Sequence, residues 1–263
     1  MKDYLIRYQR QITLVEFGSQ AQEKLAKAKV LVIGAGGLGC PALQYLVAAG
    51  VGHIGIADFD SVHLSNLHRQ ILFGQNDIGK KKVLVAKEKL TQLNNLVQIE
   101  TYEVQWQQAH CLQYFPLYDI IIDATDNFAS RYLINDACVL LGKPLVFGAV
   151  NKFEGQIAVF NNSKEACNYR DLFPVPPSNN EIANCATAGV LGVLPGMIGS
   201  MQATETIKLI TGIGETLENQ LLNYNALNQS LFTIYLTKNP AALEHMPSSM
   251  DAFLNTNYEV LCQ

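Results

Sequence analysis

A doubly wound α/β fold is predicted by three features of the 263-residue sequence. Short apolar runs alternate with amphipathic stretches from residue 29 to about 150. The first run enters a glycine-rich turn, GAGGLG, that opens a helix, and the next run closes on aspartates. Such β-α-β alternation predicts a mostly parallel, Rossmann-like sheet with right-handed crossovers. After residue 150 the rhythm becomes strand after strand, which extends that sheet with antiparallel members from the C-terminal part.

Each element has its own warrant. KVLVI (29–33) is, after Lys29, a continuous apolar run of the doubly buried kind. LGCPALQYLVAAG (38–50) has helical spacing and stops at Gly50; HIGIA (53–57) is the second strand. KKKVLVAKEKLTQLN (80–94) has Val83, Val85, Ala86, Leu90 and Leu93 at helical spacing, with cationic outer positions. VQIETYEV (97–104) alternates as a strand does, and a helix near 107–115 leads into the apolar strand within YDIIIDATDN (118–127). A helix over 128–142 ends at Gly142, Pro144 follows, and PLVFGAV (144–150) is the fifth strand. GQIAVF (155–160), QLLNYNA (220–226) and SLFTIYL (230–236) supply the antiparallel strands. Between them lie a Pro- and Asn-rich loop (173–184) and a long apolar helix near 189–211. From about Lys238 the periodicity weakens, and the chain is expected to wrap the surface.

Composition excludes several classes of function. With 49% hydrophobic and 16% charged residues the chain is an ordinary folded protein. A net charge of −4 and a pI near 5.7 argue against a nucleic-acid partner, because phosphate backbones need clustered cations. No segment offers about 18 uninterrupted apolar residues, so no membrane partner is expected. MKDYLIRYQRQITLVEFG lacks a secretory h-region, so a cytoplasmic location is expected. Cys40, Cys111, Cys138, Cys167, Cys185 and Cys262 form no C-x-x-C pair, which reads as reduced thiols without a structural zinc site.

The candidate site lies at the C-terminal ends of the strands, where open parallel sheets bind ligands. Gly34, Gly36 and Gly39 fit G-x-G-x-x-G in its required strand-turn-helix context. Phosphate oxygens would face the free N–H groups of the helix start, and Asp58 would accept ribose hydroxyls. This points to an adenine nucleotide without saying which. Residues 57–73, ADFDSVHLSNLHRQILF, then supply Asp58, Asp60, Ser65, Asn66, Arg69 and Gln70. Lys82 sits in the first turn of its helix, where a cation opposes the helix dipole at a cost of roughly 0.3–1 kcal/mol that a bound anion would offset. Lys80 and Lys81 read as solvated. In DATDN (123–127), Asp126 could ligate hydrated Mg²⁺, whereas Asp123 reads as structural. A nicotinamide enzyme is the weakest reading: the five histidines show no pairing with a carboxylate in sequence.

Taken in order, RYQRQI (7–12), GAGGLG, DFDSVHLSNLHRQ (58–70), Lys82, DATDN and NCATAGVLG (184–192) resemble the ThiF/MoeB family. The resemblance covers about residues 1–237. Members are adenylyltransferases that activate small ubiquitin-like proteins. RQILF and TAGV lean toward the thiamine branch, whose sulfur carrier is ThiS; the molybdopterin branch, acting on MoaD, is close behind. The resemblance implies one domain over 1–263: a nucleotide-binding half (about 29–150), a carrier-binding half (about 151–237) and a tail (238–263). It implies ATP and Mg²⁺ as cofactors and a carrier ending in Gly-Gly. Gly34, Gly36, Gly37, Gly39, Asp58, Asp60, Ser65, Asn66, Leu67, His68, Arg69, Lys82, Asp126 and Asn127 would surround the nucleotide. Asp58 would take the ribose, Asn66, Arg69 and Lys82 the phosphates, and Asp126 the Mg²⁺. Arg10 would reach into the neighbouring subunit's site, implying a homodimer. Cys185 would accept the activated carrier in sulfur transfer, or else be an inert thiol.

The pattern breaks at one place. Most members bind zinc through two C-x-x-C pairs, but here the first reads CNYR, with Arg170 in the second cysteine's place. The second would fall in KNPAALEHM, which has no cysteine. Zinc is therefore not expected, and packing must hold that half. No appended sulfurtransferase domain is visible, so the sulfur donor is expected to be a separate protein. The lost cysteines also admit a second reading, a carrier-binding scaffold without turnover. The retained Arg10, Arg69, Lys82 and Asp126 argue against it.

Overall fold

In the computed structural model, which describes residues 2–177 and 189–261, the alternation resolves into one sheet. Its parallel part is β1 (Lys29–Ile33), β2 (His53–Ala57), β3 (Gln98–Tyr102), β4 (Ile120–Asp123) and β5 (Leu145–Asn151). Antiparallel β6 (Glu154–Phe160), β7 (Gln220–Asn225) and β8 (Ser230–Tyr235) follow. The order is β3-β2-β1-β4-β5-β6-β7-β8 among the described residues. Because β1 pairs with β2 on one side and β4 on the other, the order reverses beside β1. That switch point opens a crevice at the C-terminal strand ends.

Both faces of β1 are covered, which is why its sequence is uninterruptedly apolar. Val30 and Val32 pack with α2 (Gly18–Lys27), α3 (Gly39–Ala49), α4 (Lys82–Leu93) and the long α8 (Val193–Thr211). Leu31 and Ile33 pack on the other face, with α5 (Gln108–Tyr114) and α6 (Phe128–Leu141). Helix α7 (Tyr169–Leu172) precedes the undescribed segment, and α8 spans Val193–Thr211. It starts later than expected, because Val190 bridges to Lys152 and the Leu191 N–H donates to the Lys152 carbonyl. Helix α4 likewise starts at Lys82, since Lys81 is extended.

One element was not foreseen and one differs from expectation. The N-terminal segment, to which the sequence reading assigned no element, forms a helix, α1 (Lys2–Ile12), with Leu5 and Ile6 53% and 61% exposed. The tail does not merely wrap the surface. It folds into α9 (Pro240–His245), α10 (Met250–Asn255) and α11 (Tyr258–Leu261), and Phe253 and Tyr258 enter the α6-side core. Asn239 and Ser249 cap the first two of these helices, which explains how short segments stay helical. Among the described residues no helix is long and apolar enough to cross a membrane.

Candidate active site

The glycine turn is shaped by close approach. Gly34 has φ +100°, and a Cβ there would lie 2.6 Å from the Ala124 carbonyl oxygen. Gly36 differs: a Cβ there would meet only the Gln70 amide nitrogen, at 3.7 Å. Packing does not demand a bare backbone at Gly36, so a ligand is the reason left for one. Asp58 stands at the end of β2 and ties the turn down. Its Oδ2 accepts from the Ala35 N–H and its Oδ1 from the Asp60 N–H, both at 2.8 Å. The carboxylate is thereby aimed, with lone pairs left for ribose hydroxyls.

The segment after β2 brings the cations in. Residues Leu64–Asn66 form a 3₁₀ turn, and Asn66 Oδ1 accepts from the His63 N–H at 3.0 Å. Arg69 Nη1 donates to the Ser65 carbonyl at 3.0 Å and lies 2.9 Å from His68 Nε2. The Arg69 stem passes the turn, its Cγ being 3.5 Å from where a Gly37 Cβ would sit. Leu67 is half-buried against the core that lies under α3 and α4. Lys82 is buried, and its Nζ pairs with Asp60 Oδ2 at 2.8 Å. Lys80 and Lys81 are solvated and pair with Asp77 and Glu103. Of the lysine run, therefore, only Lys82 is turned inward.

On the far side of the turn, Asp123 is fully buried at the end of β4. Its Oδ1 accepts from the Thr125 N–H (2.9 Å) and hydroxyl (2.7 Å), and its backbone carbonyl accepts from Gln202 Nε2 (2.7 Å). Burial pushes the Asp123 carboxyl above the ordinary range, opposed by the charge of Arg131 and the Thr125 hydrogen bonds. Asp126 stands exposed after β4, a carboxylate with no hydrogen bond or ion pair among the described residues and of the kind Mg²⁺ takes beside phosphate oxygens and water. The Asn127 side chain instead caps α6, accepting from the Ser130 N–H at 2.8 Å.

Arg10 is not brought to this site. Its helix α1 packs at the opposite strand ends, where Gln11 donates to the Ala49 carbonyl and the Tyr8 hydroxyl meets Asn94. Helix α3 separates the two places by 11 residues, about 16 Å. Cys185 lies outside the described residues.

The residues near Cys167 do not fit a thiolate-bound zinc. Arg170 is 1% exposed and grips the fully buried Asp136 of α6 with two hydrogen bonds, Nε to Oδ1 at 2.7 Å and Nη2 to Oδ2 at 2.8 Å. The Tyr258 hydroxyl donates to the same Oδ2 at 2.9 Å, and the guanidinium lies 4.7 Å from the Tyr132 ring centre. Burial disfavours the Arg170 charge, but Asp136 outweighs it and raises the pKa. KNPAALEHM contributes α9 instead of ligands. Among the described residues no group of three or more His, Cys, Asp or Glu gathers to hold a metal. The sequence reading missed Asp136 and Tyr258. The detectable signal was a carboxylate inside the apolar LINDACVLL of α6.

Comparison with known proteins bears on this geometry. The ThiF family model matches residues 8–244. A sulfur carrier protein adenylyltransferase from Thermus thermophilus is 49% identical over 244 residues, covering 91% of this chain and 90% of that protein. The Mycobacterium tuberculosis "Probable adenylyltransferase/sulfurtransferase MoeZ" is 46% identical over 91% of this chain. The "Adenylyltransferase and sulfurtransferase MOCS3" of Culex quinquefasciatus is 50% identical over 87% of it. The matched part spans 62% and 52% of those two longer proteins. Among solved structures, E. coli MccB with ATP superposes with a TM-score of 0.75 at 21% identity, covering 84% of this chain and 68% of MccB, a likeness of fold. With the glycine turn, the aimed Asp58 and the buried Lys82 set at the switch point of such a sheet, the chain belongs to the ThiF family.

Proposed function

We propose that this protein adenylates the C-terminal glycine carboxylate of a small ubiquitin-like sulfur carrier, using ATP and Mg²⁺ and releasing pyrophosphate. The observation that carries this reading is the order of groups across the crevice: Asp58, Arg69 and Lys82 beside β2, the bare Gly36 backbone at β1, and Asp126 after β4. A carboxylate nucleophile is ionised at neutral pH and needs no general base. Its oxygen bonds to the α-phosphorus as the α–β anhydride bond breaks, and the electron pair leaves with pyrophosphate. What the protein must supply is alignment and positive charge about the phosphates. Asp58 orients the ribose, Gly34, Gly36 and Gly37 let the backbone approach, and Arg69 and Lys82 meet the phosphates with Asn66. Asp126 would hold Mg²⁺, which supplies charge neutralisation between phosphate oxygens.

The carrier approaches from the antiparallel half. Among the described residues strand β8 is the edge of the sheet, and its Leu231, Phe232, Ile234 and Tyr235 are exposed, the form of surface to which a further strand adds. The functional unit is a homodimer. Exposed Leu5 and Ile6 of α1, and a groove of about 380 Å³ that includes Gln11, Tyr45, Ser200 and Thr204, favour this. It lets Arg10 serve the partner's crevice. The enzyme acts in the cytoplasm, Cys185 takes part in the sulfur transfer that follows, and a separate sulfurtransferase provides sulfur.

The ThiS-type carrier of thiamine synthesis is the first reading. The MoeZ and MOCS3 resemblance, as strong as that to the Thermus protein, favours a MoaD-type carrier equally. ATP–pyrophosphate exchange, run with each carrier and with none, tests both. Carrier-dependent exchange and a carrier mass increased by one AMP are expected. Carrier binding without exchange would overturn adenylation and leave the scaffold reading; the absence of both exchange and carrier binding would overturn the proposal altogether.

A further inference from the structure

Arg131 belongs to no motif of the sequence, yet it stands beside the loop that follows β4, its Nη2 facing the Thr125 carbonyl. It lies in the first turns of α6, five positions after Asp126. Its guanidinium is held between two rings, 5.4 Å from the Phe128 centroid and 5.6 Å from that of Phe147 in β5. This packing fixes the plane of the fork but satisfies none of its N–H groups. Nη2 reaches the Thr125 carbonyl only at 3.5 Å, the long limit of a hydrogen bond, and the buried Nε has no partner among the described residues. Buried donors left unpaired are costly, and a guanidinium carries five of them. The Arg131 charge acts on the nearby Asp123 carboxyl, but among the described residues no hydrogen bond or ion pair joins the two, and Asp123 Oδ1 accepts from Thr125 instead.

The strand order indicates what the fork awaits. From β2 toward β6 the crevice presents first the cations proposed for the phosphates, then the glycine turn, then Asp126, then Arg131 against β5. Arg131 thus stands between the nucleotide and the antiparallel half. A negatively charged group coming from that half toward the α-phosphate passes Asp123 and Asp126 and needs a cation on its own side. A planar fork matches a planar carboxylate. Resting on the adenylation reading above, we infer that Arg131 binds the C-terminal carboxylate of the carrier and presents it to the nucleotide. Phe128 and Phe147 hold the guanidinium in plane while it does so.

The test is a cycle of protein and ligand changes. Wild type, Arg131→Gln and Arg131→Lys are titrated with ThiS-type and MoaD-type carriers, each as the free acid and as the C-terminal amide. ATP affinity is measured alongside, without carrier. The wild type should bind the acid at least about tenfold tighter than the amide, a difference near 1.4 kcal/mol. In Arg131→Gln that preference should vanish, while ATP affinity stays within about twofold, which also reports a folded site. Arg131→Lys should keep part of the preference, since charge survives without the fork. An equal acid-over-amide preference in wild type and Arg131→Gln would overturn the inference alone, as would a loss of ATP affinity with carrier binding intact. Absence of pyrophosphate exchange in the wild type with either carrier would remove the adenylation reading and the inference with it.

Discussion

Arg170→Ala is the sharpest perturbation of this fold. It removes the guanidinium that neutralises Asp136 at 2.7 and 2.8 Å, and Asp136 is 0% exposed. The Tyr258 hydroxyl and the Asn135 amide at 3.2 Å remain as donors, but no cation does. Breaking one side of a buried pair costs about 3–5 kcal/mol, because the surviving charge stays out of water. At roughly 2 °C per kcal/mol for a chain this long, Tm should fall by about 6–10 °C. The double variant Asp136→Leu/Arg170→Met removes both charges and keeps volume, so it should recover most of that loss. Thermal denaturation followed by circular dichroism, with and without a chelator, makes the measurement. If Arg170→Ala melts with the wild type, or if the two substitutions simply add, the pair does not hold this half together. A chelator that lowers the wild-type Tm would mean that a metal does.

Four further outcomes are expected. Gly36→Ala should leave Tm nearly unchanged, because a Cβ meets only Gln70 at an ordinary contact distance, and should weaken ATP binding at least about tenfold in calorimetry. Gly34→Ala should instead lower Tm, since its Cβ would strike the Ala124 carbonyl from a φ of +100°. Arg69→Ala or Lys82→Ala should slow ATP–pyrophosphate exchange about a hundredfold, the effect of losing about 2.7 kcal/mol of transition-state stabilisation, with folding retained; wild-type rates would refute their phosphate roles. Asp77 is hydrogen-bonded by Lys89 foremost, which holds its carboxyl below the ordinary range. A depressed carboxyl contributes stability above its unfolded value near pH 4 and loses it as pH falls through the folded value. Asp77→Asn should therefore lower Tm at neutral pH and flatten the loss of Tm below about pH 4.

Much of the architecture was legible because its signals are local. The buried parallel strands β1, β4 and β5 show as apolar runs, and Gly50 and Gly142 mark helix ends where the backbone is left-handed. The glycine spacing and the closing Asp58 marked the crevice before any coordinates did. Helix α1 was missed because its Leu5 and Ile6 face outward. The tail was misjudged because its anchors, Phe253 and Tyr258, are isolated in sequence and meet their pockets only in the folded chain. Arg131 was not legible because nothing in the sequence around it says that two rings will flank its guanidinium and that its Nε will be buried without a partner among the described residues.

By itself the sequence determined the α/β class, the glycine turn and the residues that follow each parallel strand, since backbone torsions and burial patterns act over a few neighbouring positions. Tertiary structure alone decided that Lys82 turns inward to Asp60, 22 positions away, and that Arg170 meets Asp136 across 34 and Tyr258 joins Asp136 across 122. Those meetings depend on how sheet and helices stack. A buried charge takes whichever partner the packed chain carries to it, and spacing along the chain does not encode that choice.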